Sequence, residues 1–200
     1  MTYDPSNPII VQGDKSVLLE VDNPLYQEAR DVLARFAELD KSPEYIHTYR
    51  ITPLSLWNAA SAGLSAEAII AGLERYSKYP LPDNVRVDIT DYVSRYGRLK
   101  LARRDGALYL VSDDAALVAE VVRHRQLSPF VVGQIDAHTL QVDPARRGLI
   151  KQALVVVGYP AEDLAGYVEG ERLPFHCRTL TVDGRPFALR DYQREAAEIY

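Results

Sequence analysis

The chain has 200 residues, 47% of them hydrophobic and 26% charged, with a formal net charge of −5. That length buries enough apolar surface for one or two globular units, and its single cysteine excludes an intrachain disulfide. No apolar run approaches the roughly 20 residues of a membrane span, and the opening Met-Thr-Tyr-Asp-Pro lacks the basic and apolar regions of a signal peptide, so the expected compartment is the cytoplasm.

Residues 9–12 and 17–21 are short β-type runs around Gly13-Asp14. A helical stretch over 24–39 places Leu25, Ala29, Val32, Leu33 and Phe36 on one face, with Pro24 suited to a first helical turn. The segment 45–51 reads as a returning strand, giving a β-β-α-β unit. Thr52-Pro53 then forms an N-cap and first-turn proline for a helix carrying Leu54, Leu56 and Trp57, which Gly63 ends. Trp57 on that apolar face reads as a core anchor rather than a base-stacking platform. Ser65 caps a second helix with Ala66, Ile69, Ile70, Leu73 and Tyr76 at helical spacing, and Asp83 starts a third that runs to Gly97.

A hairpin follows over 98–112 with Asp105-Gly106 as its turn. Three helices and a hairpin are the order of a winged-helix module, with the hairpin as the wing. Asp113-Asp114 suits a helix N-cap. Residues 130–160 read as strand, turn, strand and helix, a second small β-β-α unit, and 139–154 can be laid over 17–33 in pattern. Glu162-Asp163 look like turn or cap residues after Pro160. From 159 to 188, Pro160, Gly166, Gly170, Pro174, Gly184 and Pro186 interrupt any long element, marking a hinge with a small hairpin at Asp183-Gly184. The expected fold class is therefore α+β.

Charge is unevenly distributed: residues 95–151 contain ten Lys and Arg against six Asp and Glu, whereas both flanks are acidic. Arg95, Arg98, Lys100, Arg103 and Arg104 fall within ten residues with no acid among them, close to Tyr96 and Tyr109. Such a cluster neutralises phosphates while an aromatic ring stacks on an exposed base; it equally describes a solvated strand face. Arg146, Arg147 and Lys151 near a helix start suit a DNA backbone or a wet surface. Metal and nucleophile readings are poor. His47, His124 and His138 are dispersed singly, and His176-Cys177 lacks the further ligands of a zinc site or a positioned base.

Residues 189–196, Leu-Arg-Asp-Tyr-Gln-Arg-Glu-Ala, resemble the LRxYQ element of superfamily 2 helicases. With the segments 7–26, 47–63, 94–101 and 158–171 in that order, the chain resembles the N-terminal half of bacterial XPB-type DNA repair helicases over essentially its whole length. The resemblance implies an N-terminal domain over 1–122 with a winged-helix-like part at 52–112, and a damage-recognition-like domain over 123–165. A linker and hairpin would follow over 166–188, and the start of a helicase motor lobe over 189–200. It implies a parent that is an ATP-dependent 3′–5′ DNA helicase of nucleotide excision repair using ATP and Mg, in which Arg190 and Gln193 contact adenine.

This sequence has no glycine-rich loop ending in Gly-Lys-Ser/Thr. The expectation is accordingly an accessory N-terminal region, cut short inside its last helix, that is no enzyme by itself and carries no cofactor. It would bind forked or single-stranded DNA, regulate the motor and meet a repair partner such as a nuclease. A protein-interaction module is the alternative, and a free-standing transcriptional regulator would leave residues 189–196 unexplained.

Overall fold

In the computed structural model the described residues are 3–166 and 178–199, which belong to two units divided at Gly166. The first unit begins with β1 (Ile9–Val11) and β2 (Ser16–Glu20), an antiparallel hairpin turned through Lys15 at φ 71°. Val17 and Leu19 are fully buried and Leu18 is not, the period-2 pattern of a half-buried strand. Helix α1 (Tyr26–Leu33) follows, then β3 (Glu38–Lys41) and β4 (Ile46–Arg50), closing a four-stranded antiparallel sheet of order β1-β2-β4-β3.

The helix expected over 24–39 is thus shorter. Its last residues are an edge strand, Glu38 facing Arg50 and Leu39 facing Tyr49. All four residues of β3 are exposed, so no alternation of buried and exposed side chains betrays it.

Three helices complete this half, α2 (Pro53–Ser61), α3 (Ala66–Tyr76) and α4 (Asp83–Arg95). Thr52 and Ser55 satisfy each other's backbone N–H groups as a capping box, and the Ser65 hydroxyl accepts from Ala68 N–H at 3.2 Å. Gly63 and Gly97 take φ of +85° and +79°, left-handed values that favour glycine at a helix end. Ile69, Leu73, Val85 and Ile89 join Ile9, Val17, Leu19 and Leu33 in one core.

The second half opens with β5 (Leu99–Arg104) and β6 (Ala107–Val111), turned at Asp105-Gly106 with both residues at positive φ. Helix α5 (Ala115–Arg123) is capped by the Asp114 carboxylate, which accepts from Ala116 and Leu117 N–H groups. Strands β7 (Val131–Gln134) and β8 (Thr139–Val142), helix α6 (Arg147–Val156) and strand β9 (Ala161–Asp163) follow. The sheet order is β7-β8-β6-β5-β9, with β9 parallel to β5.

This arrangement corrects two expectations. The hairpin is not the wing of the three helices, because Leu99, Leu101, Leu108 and Leu110 are fully buried with Leu140, Ile150 and Leu154 in a second core. The later β-β-α segment is no separate small unit either, since β8 pairs with β6 in the same sheet. Four inward leucines need a hydrophobic partner, and α5 and α6 provide it.

The two halves repeat one topology. Chain elements β1-β2-α1-β3-β4 and β5-β6-α5-β7-β8 build the sheet orders β1-β2-β4-β3 and β5-β6-β8-β7. Each fourth-position edge strand carries a register shift, between Leu39 and Lys41 and between Val131 and Gly133. Each first strand is covered by a later parallel segment, Ser77 beside Ile9 and Ala161 beside Leu99. The correspondence therefore sets β2-α1 on β6-α5, not on β8-α6 as the sequence pattern of 139–154 suggests.

Between the two cores, Arg95 of α4 stacks its guanidinium over Tyr92 and over Tyr159 at 5.4 and 5.6 Å, and donates to Asp91 at 2.6 Å. Trp57 is buried beside Tyr92 and donates its indole N–H to the Tyr92 carbonyl at 2.9 Å, the structural role its helix face predicts.

The second unit contains a turn at Asp183-Gly184, closed by Thr181 N–H to the Arg185 carbonyl at 2.8 Å, and helix α7 (Asp191–Ile199). His176 and Cys177 lie outside the described residues.

A candidate nucleic-acid interface

The cations and polar groups singled out in the sequence divide by what already holds them. Arg147 donates to both Asp163 oxygens, at 3.1 and 2.6 Å, and to the Gly166 carbonyl; Lys151 donates to the same carboxylate at 2.8 Å. Burial pushes the Asp163 carboxyl up, yet the two cations outweigh it and hold it below the usual carboxylate range. Asp163 belongs to β9 in register with Leu101, so the pair of residues expected as a turn or cap is instead a strand that anchors α6 to β5. A three-residue strand of half-buried residues after a proline leaves no periodic signal in the sequence.

Arg98 donates to Asp114 at 2.7 Å and lies over Tyr159, while Arg146 pairs with Asp143 at 3.4 Å on an exposed turn. The carboxylate of Asp114 is held low first by the Leu117 N–H and then by Arg98. Arg98 therefore reinforces the cap of α5, and the expected N-cap at Asp113-Asp114 falls to Asp114.

Lys100, Arg103 and Arg104 differ from these. All three are exposed on β5, and among the described residues none has an acid within ion-pair distance. Lys100 and Arg104 share the sheet face opposite the buried Leu99 and Leu101, and Arg103 stands beside the turn. Tyr109 is on the same face as Lys100 and Arg104, in register with Ala102, and enters neither core. Tyr96, the other aromatic near the cluster, instead faces a cleft beside Trp57, Lys151 and Asp163.

Arg190 and Gln193 lie in the second unit. The Gln193 side-chain oxygen accepts from Arg190 N–H at 3.1 Å, which caps the start of α7, and both residues are exposed. The resemblance assigns these two residues to adenine; a triphosphate would need several converging N–H groups and a cation besides them. No cluster of three His, Cys, Asp or Glu that could hold a metal ion occurs among the described residues, and no helix among them is long and apolar enough to cross a membrane.

A family model described as the helicase conserved C-terminal domain matches residues 9–136. The DNA 3′-5′ helicase XPB of Mycobacterium tuberculosis is 48% identical over 194 residues, 96% of this chain and 34% of that protein. The protein of the same description from Kineococcus radiotolerans is 46% identical over 192 residues, again 96% and 34%. In Schizosaccharomyces pombe, the general transcription and DNA repair factor IIH helicase/translocase subunit XPB is 37% identical over 123 residues, 62% of this chain and 15% of its own length. The chain thus spans about a third of the length of its bacterial relatives.

The family match also corrects an expectation. The missing phosphate loop implies an N-terminal accessory region and no enzyme, but the matching family model is a conserved domain of the helicase itself. One absent motif describes one nucleotide-binding element and does not place a chain outside an enzyme.

Proposed function

This chain belongs to the helicase conserved C-terminal domain family, and we propose that it serves an XPB-type 3′–5′ DNA helicase of DNA repair as a DNA-contacting region. One observation carries the reading: Lys100, Arg103 and Arg104 project from a hairpin anchored in the second core and have no ion-pair partner among the described residues, while the neighbouring Arg95, Arg98, Arg147 and Lys151 are engaged with acids. A cation already paired gives up that partner when it meets a phosphate, whereas a solvated one releases only counterions. Four buried leucines anchor the hairpin, which fixes the cations in space and lowers the ordering cost of binding.

DNA titrations of the chain carrying Lys100→Gln, Arg103→Gln and Arg104→Gln together test this. Affinity should fall, and the slope of log affinity against log salt should flatten by about 0.7 to 0.9 for each phosphate that is no longer neutralised. Arg95→Gln should leave that slope unchanged. An unaltered affinity and slope in the triple variant, with a normal melt, would refute the reading and move the hairpin to a protein-docking role.

A further inference from the structure

The repeated topology supplies an internal comparison for the hairpin's outer face. In β2 the buried Val17 and Leu19 flank Leu18, which is in register with Ile10 on β1 and Thr48 on β4. In β6 the buried Leu108 and Leu110 flank Tyr109, which is in register with Ala102 on β5 and Gln141 on β8. Equivalent positions facing away from the core are therefore Ile10, Leu18 and Thr48 in one sheet, and Ala102, Tyr109 and Gln141 in the other. The flanking positions diverge as well: two residues either side of Ile10 stand Pro8 and Gln12, and two residues either side of Ala102 stand Lys100 and Arg104.

One backbone thus presents Ile10 and Leu18 beside uncharged neighbours on the first sheet and an aromatic ring between two cations on the second. Both cores are complete without these residues, so packing does not demand the difference. We propose that the outer face of the second sheet is a single-stranded DNA platform, in which one unpaired base stacks on Tyr109 and Lys100 and Arg104 hold the backbone on either side. The proposal rests on the DNA-contacting reading above and names the form of DNA that the hairpin takes.

The geometry suits that occupant. Ala102 is the neighbour of Tyr109 on one side, and Gly133 lies beyond Gln141 on the other with nothing within 4 Å of a Cβ built there, so small residues leave the ring approachable. Lys100 and Arg104 are about 14 Å apart along an extended strand, with Ala102 midway between them. Glu162 of β9, in register with Lys100, bounds the platform with negative charge. Stacking on an aromatic ring requires an exposed base face, which single strands offer and paired duplexes do not. The Gln141 amide donates and accepts, and is in place to meet the edge of a stacked base.

The test titrates the full chain into a fluorescein-labelled 15-residue oligo-dT and into a duplex of equal length. Tyr109→Leu, which installs the first sheet's residue, should weaken oligo-dT binding roughly 5- to 150-fold and leave duplex binding and the oligo-dT salt slope unchanged. Lys100→Gln with Arg104→Gln should flatten that slope. Tyr109→Trp should retain affinity and show indole fluorescence quenched by oligo-dT, which keeps the proposal testable if the leucine variant folds poorly. Unchanged oligo-dT affinity in a folded Tyr109→Leu, an equal loss on duplex, or no quenching in Tyr109→Trp would each overturn the platform. In those cases the DNA-contacting reading survives if the triple hairpin variant still loses affinity; absence of binding to either DNA by the unmodified chain would refute both.

Discussion

Replacing Asp163 by asparagine should destabilise the first unit by about 2 kcal/mol at neutral pH, between the ~0–1 of an exposed ion pair and the ~3–5 of a broken buried one. The carboxylate accepts from Arg147 Nε at 3.1 Å, Arg147 Nη2 at 2.6 Å, Lys151 Nζ at 2.8 Å and Ala165 N at 3.2 Å. Its side chain is 16% exposed, against 23% and 43% for the arginine and lysine, so one end of the network is screened and the other is not. Asparagine retains one acceptor oxygen, but it lacks the charge and turns an N–H₂ group toward two cations.

For a unit of this size the destabilisation corresponds to a melting temperature lower by roughly 4–8 °C, measured by circular dichroism. The gap must also depend on pH. Because the folded carboxyl lies below its unfolded value near ~4, its contribution is complete above that value and is lost as pH falls through the folded one. The asparagine variant has no such titration, so the two melts should converge in acid. A gap under about 0.5 kcal/mol at neutral pH, or one that stays constant into strong acid, would refute the claim that this network ties β9 and α6 to the sheet.

Other expectations follow from single interactions. Thr52→Ala removes half of the capping box on α2 and should cost about 1 kcal/mol in urea unfolding; no change would mean that Pro53 and burial suffice. Gly72→Ala should destabilise by about 1–3 kcal/mol, because a Cβ there would lie 2.9 Å from Val32 Cγ1 where α3 crosses α1, and the smaller Val32→Ala should rescue part of the loss. Glu162→Gln should raise affinity for oligo-dT, since it removes the acid that borders Lys100; a fall would place Glu162 in a different role. Arg98→Gln should leave the salt slope of DNA binding unchanged, because Asp114 already occupies its guanidinium, and should lower the melting temperature only slightly, because the pair is exposed.

Much of the first unit was readable from the sequence because the determinants are local. Thr52-Pro53, Ser65, Gly63, Gly97 and Asp105-Gly106 act on their own few residues, and each does in the structure what its chemistry predicts. Periodicity likewise identifies β2 and α3, whose buried faces alternate or recur within one element, and Asp114 marks the start of α5. The fold class follows from those elements. The charge asymmetry that singles out residues 95–104 is also a property of the sequence alone, as is the resemblance carried by 189–196.

Tertiary structure decided the rest, for a common physical reason: the deciding partners are distant in the chain. Strand β3 is exposed on every residue and exists because β4 offers it an edge, and β9 exists because β5 does. The hairpin's assignment to the second core depends on α5 and α6 covering its leucines, which the order of three helices and a hairpin does not disclose. The same holds for the cations. Nothing in their spacing distinguishes Arg98, Arg147 and Lys151 from Lys100, Arg103 and Arg104, but folding brings Asp114 and Asp163 to the first three and leaves the others facing solvent. Composition determines how many charges a chain carries, and the arrangement of strands and helices determines which of them remain available to a phosphate.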